Sequence, residues 1–282
     1  MKILLITQPS LGVKYLKWVL SYLPCEVKEI SLKGYLKKNY GKHDIIIYQP
    51  SPLENVPDKF NKHLIDKTDE KFMSDKARKL LCDCHPRSSV DGFSRLNTDM
   101  PRIKRCPHKD FPNVCLPITM EIRRTNIQRH KRDILLSCKS RISTDSSRIW
   151  VREKIKAMGG VVAYDRSRDR MAYRKHLARV LISVCPQGRG ETTIRSLETM
   201  WMGACMVCDE SIRGAKLLPC ADIVEGRDYL TFNKDNIEDV IKNLIQNKKE
   251  AERIALNGHK VFNDGYPAKK TAKLFNEFLK NW

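Results

Sequence analysis

The chain has 282 residues, enough for two domains of ordinary size that each have their own core. Its 41% hydrophobic and 30% charged residues exclude a disordered protein, and its net charge of +20 favours anionic partners. Residues 101–200 carry 14 of that charge, with 23 Lys and Arg against 9 Asp and Glu. No apolar run reaches the ~18 residues of a membrane span, and the first apolar stretch is too short for a signal peptide, so we expect a cytoplasmic protein.

Apolar strands alternate with helices in the first half of the chain. Such alternation is typical of a mostly parallel sheet with helices on both faces. The basic run 123–132 is poor in apolar residues and is the best candidate for a linker. The predicted elements before it are strands Lys2–Thr7, Glu26–Ser31, Asp44–Tyr48, Lys79–Asp83 and Asn113–Ile118, and a helix from about Val13 to Leu23.

The same pattern restarts after the linker, so we predict an α/β protein of two Rossmann-like domains, residues 1–125 and 126–265. Three helical patterns then follow Asn236, and the last belongs to a C-terminal segment, 266–282. The predicted elements are strand Asp133–Cys138, helix Ser146–Met158, strand Val161–Tyr164, strand Val180–Cys185, a helix that begins near Thr192, and a strand after Gly203.

The segment from Tyr173 to Val207 is the most informative part of the sequence. In it, Pro186 ends an apolar strand, and a loop with Gly188, Thr192 and Thr193 leads into a helix. Helix N-termini present free backbone N–H groups and the positive end of the helix dipole, which suits phosphate oxygens. The segment therefore predicts a nucleotide site, although strand–loop–helix units with two glycines also occur in α/β proteins without one.

Charged residues complete this predicted site. Arg195 and Glu198 lie three residues apart and so share one helix face. A guanidinium binds a diphosphate bidentately, and a carboxylate accepts two hydrogen bonds from a ribose diol. Lys139 and Arg141 follow the first strand of the second domain and are candidates for the diphosphate. The alternative is that Glu198, Lys139 and Arg141 are ordinary solvated charges.

This segment resembles the donor-binding half of nucleotide-sugar glycosyltransferases of the GT-B type, most closely the exostosin-like branch, in a compact soluble form such as large DNA viruses encode. The residues in register with that branch are Tyr173, Leu177, Pro186, Gly188, Thr193, Arg195, Glu198 and Gly203. The departures from it are Val180, Ser183, Ala204 and Met206, where the branch usually has Ser, Cys, Cys and Pro.

The resemblance implies an inverting, metal-independent transfer from a UDP-sugar, UDP-xylose or another UDP-pentose or hexose, to a glycan hydroxyl, with no cofactor besides the donor. It also implies a cleft between the two domains and a final helix, in 266–282, that packs back on the first domain. An inverting transfer needs a base that removes the acceptor proton, and the resemblance implies that this base lies in the first domain. Asp83, His85 and Asp91, in a polar loop after an apolar strand, are the candidates. An ordinary hydrogen-bonded turn is the alternative.

Two further alternatives stay open. Cys82, Cys84, His85, Cys106 and His108 have the chemistry of zinc ligands, but their spacing differs from the Cys-x2–4-Cys pairs of structural sites, so we predict no metal. The high positive charge is also compatible with a protein that binds or glycosylates nucleic acid, which is our second hypothesis for the function. A sugar-nucleotide binder without catalytic activity is a third.

Overall fold

The computed structural model describes residues 1–7, 11–37, 40–49, 59–83, 100–105, 114–118, 131–140, 147–162, 170–188 and 193–282. The chain forms two compact units. Unit 1 comprises Met1–Glu121 and Pro267–Trp282, and unit 2 comprises Ile122–Tyr266. Within the described ranges, no helix combines the length and the apolar content that a membrane span requires.

Strands and helices alternate along both units. The strands are β1 (Lys2–Ile6), β2 (Glu26–Ile30), β3 (Ile45–Tyr48), β4 (Arg78–Asp83), β5 (Arg102–Arg105), β6 (Val114–Ile118), β7 (Ile134–Ser137), β8 (Val180–Cys185), β9 (Cys205–Asp209) and β10 (Leu230–Phe232). The helices are α1 (Leu11–Leu20), α2 (Leu32–Lys37), α3 (Lys59–Ser74), α4 (Ser147–Ala157), α5 (Arg170–Leu177), α6 (Ile194–Met202), α7 (Ile237–Gln246), α8 (Lys248–Gly265) and α9 (Ala268–Asn281).

The sheet of unit 1 is parallel, with the strand order β2-β1-β3-β4-β5-β6 among the described residues. Its central strands are buried along their length, including Ile3–Ile6 and Ile45–Tyr48. Strands covered on both faces read as continuous apolar runs rather than as alternating patterns. This is why β1 and β3 are recognisable in the sequence.

The C-terminal helix α9 belongs to unit 1 and packs against its first helix, α1. The buried hydroxyls of Tyr15 and Thr271 are 3.0 Å apart. At the other end of α9, Arg78 donates to the carbonyl oxygen of Leu279 at 3.3 Å, and its guanidinium lies 5.3 Å from the ring centroid of Trp282. These contacts hold the end of the chain on the unit formed by its beginning.

The sheet of unit 2 is also parallel and has the order β10-β9-β8-β7. On the other side of β7, Val161 forms a parallel bridge to Ser137. The chain therefore leaves β7 towards Val161 on one side and returns on the opposite side at β8. In doubly wound sheets, the point where consecutive crossovers diverge is where ligands bind, outside the carboxyl ends of the strands. In unit 2 that point lies between the ends of β7 and β8.

The structure contains elements that were not predicted individually, among them strands β5 and β10 and helices α2 and α3. Strand β5 was not predicted, because Ile103 is its single apolar residue and its pairing with β4 and β6 comes from the fold rather than from local sequence. The predicted strand Val161–Tyr164 is present only as the bridge at Val161, and Tyr164 lies outside the described residues. Strand β8 has its predicted bounds.

Candidate functional site

The loop that follows β8 lies at the divergence point of unit 2 and is held from the side by α4. Arg148, which is 4% exposed, donates from Nε to the carbonyl oxygen of Gln187 at 2.6 Å. A Cβ atom on Gly188 would lie 2.7 Å from Nη2 of Arg148 and 3.2 Å from Cγ2 of Thr193. A side chain at this position would therefore displace the end of the Arg148 side chain and crowd the Thr193 methyl group.

Thr193 caps the N-terminus of α6. Its backbone is extended (φ −125°, ψ 156°), and its hydroxyl accepts a hydrogen bond from the backbone N–H of Ser196 at 3.3 Å. At the other end, Gly203 adopts the left-handed conformation (φ 65°, ψ 38°) that ends the helix. The helix predicted to begin near Thr192 begins at Ile194 in the structure. Thr192 itself lies outside the described residues. The first turn of α6 directs its N–H groups towards the strand ends.

Arg195, in that first turn, has a buried guanidinium. Its Nε and Nη1 atoms have no solvent contact and no hydrogen-bond partner among the described residues. The hydroxyl of Tyr173, on α5, lies beside this guanidinium and is also buried without a well-aligned hydrogen bond. Burial lowers the pKa of Arg195, but the nearby Tyr173 and the thiols of Cys185 and Cys138 outweigh it and raise the pKa. The guanidinium is therefore a fixed buried positive charge that faces the ends of β7 and β8.

Glu198, one turn further along α6, is paired with Arg174 of α5. Arg174 Nε donates to Oε1 of Glu198 at 2.9 Å, and both side chains are 4% exposed. The guanidinium also lies 5.1 Å from the ring centroid of Trp201. Glu198 is thus a buried helix residue in an ion pair, not the solvated charge that the sequence left open as an alternative. The pair fixes α5 against α6.

Two free thiols, Cys138 and Cys185, lie near the guanidinium of Arg195, and Cys208 in turn contacts Cys185. Cys138, Cys185 and Cys208 are all buried and reduced. Burial would raise the pKa of Cys185, but a hydrogen bond from Cys208 and the charge of Arg195 outweigh it and bring the pKa to about 7. The pKa of the Cys208 thiol is raised, by burial and by its interaction with Cys185. The cysteines of β8 and β9 are thus buried side chains of the core with no disulfide partner among the described residues.

The other predicted site residues are placed as follows. Lys139 is the second residue after β7 and is partly buried. Burial lowers the pKa of His176, and the charge of Lys139 lowers it further. Asp83 is the last residue of β4, so its backbone lies at the carboxyl edge of the sheet of unit 1. His85, Asp91 and Arg141 lie outside the described residues. Among the described residues, no group of three His, Cys, Asp or Glu is arranged to hold a metal ion.

Sequence reasoning missed Arg148 and Arg174 as parts of this site. Both are buried arginines on helices that precede β8, and their partners, Gln187 and Glu198, come later in the chain. Nothing local distinguishes them from the many exposed arginines of the same region. Tyr173 belongs to the segment that resembles the glycosyltransferases, but the sequence alone did not indicate a function for its hydroxyl.

No family profile matches the sequence, and no curated protein matches it significantly. Solved structures do match over the whole chain. Anabaena Alr3699/HepE in complex with UDP-glucose matches with a TM-score of 0.54 and 9% identity, over 100% of both chains. An α-glucosyltransferase in complex with UDP-glucose and DNA containing an abasic site matches with a TM-score of 0.57 and 11% identity, over 99% of both chains. A glycosyltransferase from Rickettsia africae ESF-5 matches with a TM-score of 0.58 and 12% identity, over 100% of this chain and 99% of that one.

At such low identity the likeness establishes the fold. The predicted α/β class with two Rossmann-like domains is confirmed, and it is the fold of glycosyltransferases of the GT-B type. The exostosin-like branch and the viral type of source stay predictions.

Proposed function

We propose that this chain is a glycosyltransferase that takes a sugar from a nucleotide-sugar donor, and that unit 2 binds the diphosphate of the donor at the N-terminus of α6. The observation that carries the proposal is the buried guanidinium of Arg195, whose Nε and Nη1 atoms have no partner among the described residues. Buried polar atoms in proteins are nearly always hydrogen-bonded, so an unpartnered cation at a ligand-binding edge indicates an anionic ligand.

The residues around Arg195 support a diphosphate. Gly188 allows close approach to the backbone of the β8–α6 loop, and the helix N-terminus attracts negative charge. Lys139, Arg141, Thr192 and Thr193 are the further candidates for phosphate contacts. Two of the solved structures with this fold contain UDP-glucose, which favours UDP as the nucleotide. Glu198 remains our candidate for the ribose, positioned by Arg174.

The chemistry that we propose is an inverting transfer. Arg195 and the helix N-terminus would stabilise the negative charge that develops on the leaving diphosphate, a role that does not require a metal ion. The base that removes the proton from the acceptor hydroxyl would come from unit 1, with Asp83, His85 and Asp91 as candidates. UDP-xylose, or another UDP-pentose or hexose, is the proposed donor and a glycan the proposed acceptor.

A thermal-shift panel with UDP, GDP, ADP, CMP and dTDP, with and without magnesium, tests the donor site. A ligand that binds only the folded state raises the melting temperature by mass action. We expect a shift with UDP that does not depend on magnesium and that is lost in Arg195→Met. Arg179→Met is the matched control, because Arg179 is exposed and immediately precedes β8. It therefore lies at the amino end of that strand, away from the carboxyl end where the proposed site lies. Equal shifts in wild type and Arg195→Met would contradict the assignment.

A second candidate function is the transfer of sugar to nucleic acid. The observation that favours it is the charge of residues 101–200, which hold 23 Lys and Arg against 9 Asp and Glu. One solved structure with this fold contains both UDP-glucose and DNA. Fluorescence anisotropy with duplex DNA at several salt concentrations tests the idea. Sub-micromolar binding at about 50 mM salt that falls steeply with added salt would support it, and the absence of binding at that salt would reject it.

A further inference from the structure

Three buried polar atoms lie together at the junction of α5 and α6. They are the hydroxyl of Tyr173 and the Nε and Nη1 atoms of Arg195. The phenol and the guanidinium lie beside each other without a well-aligned hydrogen bond between them, and none of the three atoms has another partner among the described residues. Orphaned buried donors are rare in native proteins, and a group of them in one place indicates a missing ligand. The Arg174–Glu198 ion pair at 2.9 Å joins the next residue of α5 to the next turn of α6, so the two helices hold this arrangement.

The chemistry of these atoms restricts what can bind. A guanidinium has donors and no acceptor, and a phenol has one donor hydrogen. Burial raises the pKa of Tyr173 far above its ordinary value, against the opposing charge of Arg195, so the phenol is neutral and able to donate at physiological pH. A ligand that satisfies all three atoms at once must therefore present acceptor oxygens, and the guanidinium favours a negatively charged one.

We propose that the hydroxyl of Tyr173 and the guanidinium of Arg195 bind the same oxyanion, and that Tyr173 is a ligand-binding residue rather than a packing residue. The inference rests on the proposed function, in which that oxyanion is a phosphate of the nucleotide-sugar donor. Because the three atoms have no solvent contact in the ligand-free chain, the oxyanion enters through a local rearrangement, and association is slower than for an open site.

If Tyr173 binds the oxyanion, it contributes to the affinity for the phosphates and not to the affinity for the nucleoside. Tyr173→Phe removes one hydrogen bond to a charged group and leaves the ring in place. We expect the affinity for UDP to fall about tenfold, which corresponds to about 1.4 kcal/mol, and the affinity for uridine to stay unchanged. The melting temperature of the ligand-free variant should change little, because the hydroxyl that is removed makes no well-aligned hydrogen bond and loses only its contact with the guanidinium of Arg195.

Isothermal titration calorimetry with UDP, uridine and inorganic pyrophosphate tests this on the full chain. Tyr229→Phe is the control, since Tyr229 is a buried tyrosine of the same unit that precedes β10, at the opposite edge of the sheet. Wild-type affinity for UDP in Tyr173→Phe, together with loss in Arg195→Met, would overturn the role of Tyr173 and leave the proposed function intact. If wild type binds no nucleotide, the proposed function fails. Pyrophosphate binding that depends on Tyr173 would then still support the oxyanion site. If wild type binds neither UDP nor pyrophosphate, the oxyanion site is overturned as well.

Discussion

Glu198 provides the sharpest stability prediction, because its partner Arg174 is as deeply buried as Glu198 itself. The change is Glu198→Gln, which preserves the shape of the side chain and removes its charge. Both members of the pair are 4% exposed, so solvent does not screen the charge left on Arg174. Removing one partner of a buried pair costs about 3–5 kcal/mol. We expect the low end, about 3 kcal/mol, because glutamine still offers an oxygen to Nε and the Trp201 ring still lies 5.1 Å from the guanidinium.

Urea denaturation, followed by far-UV circular dichroism, measures this effect. With a slope of about 2 kcal/mol/M, a loss of about 3 kcal/mol lowers the transition midpoint of unit 2 by about 1.5 M. Asp133→Asn is the control, because it breaks the half-exposed pair with Arg179, which solvent screens, and should leave the midpoint almost unchanged. The double variant Arg174→Met, Glu198→Leu should recover most of the stability, since apolar replacement of a buried pair is often neutral. A midpoint for Glu198→Gln equal to that of Asp133→Asn would refute the reasoning.

Three further predictions concern unit 2. Burial, then the charges of Lys139 and Arg179, lower the pKa of His176 from 6.5 to about 4. The contribution of the neutral His176 to stability is therefore complete above pH 6.5 and is lost as pH falls towards 4. Allowing for the partial exposure of His176, the unfolding free energy from urea titrations should fall by about 1–2 kcal/mol over this range, and the fall should be absent from His176→Asn. Arg132 donates to five backbone carbonyls near the ends of α5 and α6, so Arg132→Met should lower the unfolding free energy by about 2–4 kcal/mol, and a loss below 1 kcal/mol would show that these bonds are replaced by water. Gly203→Ala should cost about 1 kcal/mol in the same assay, because Gly203 has φ 65°, and an unchanged midpoint would contradict the strain argument.

The strand–loop–helix unit from β8 to α6 could be predicted because each of its signals is local. Val180–Cys185 is an apolar run interrupted only by Ser183, Pro186 follows it, and Gly203 stands where the next helix ends. These residue preferences depend on local backbone conformation and on burial, not on which distant residues come into contact. The resulting prediction of a Rossmann-like unit with a helix N-terminus at its binding edge followed from this stretch.

What could not be predicted depends on which side chains meet in space. Arg174 and Arg148 are two of 53 Lys and Arg residues, and only the packing of α5 and α4 shows that both are buried. The same limit applies to β5, whose basic sequence favours a loop until β4 and β6 pair with it. Charges that serve as buried ligands or ion pairs look like surface charges in a sequence, and in so basic a chain they are the hardest residues to identify.

The central claim, that the orphaned guanidinium of Arg195 binds the diphosphate of a nucleotide-sugar donor, is tested most directly by an experimental structure of the chain with UDP. Phosphate oxygens should lie within about 3.2 Å of Nε or Nη1 of Arg195 and of the first backbone N–H groups of α6. UDP bound elsewhere, with Arg195 still enclosed by protein atoms, would contradict it.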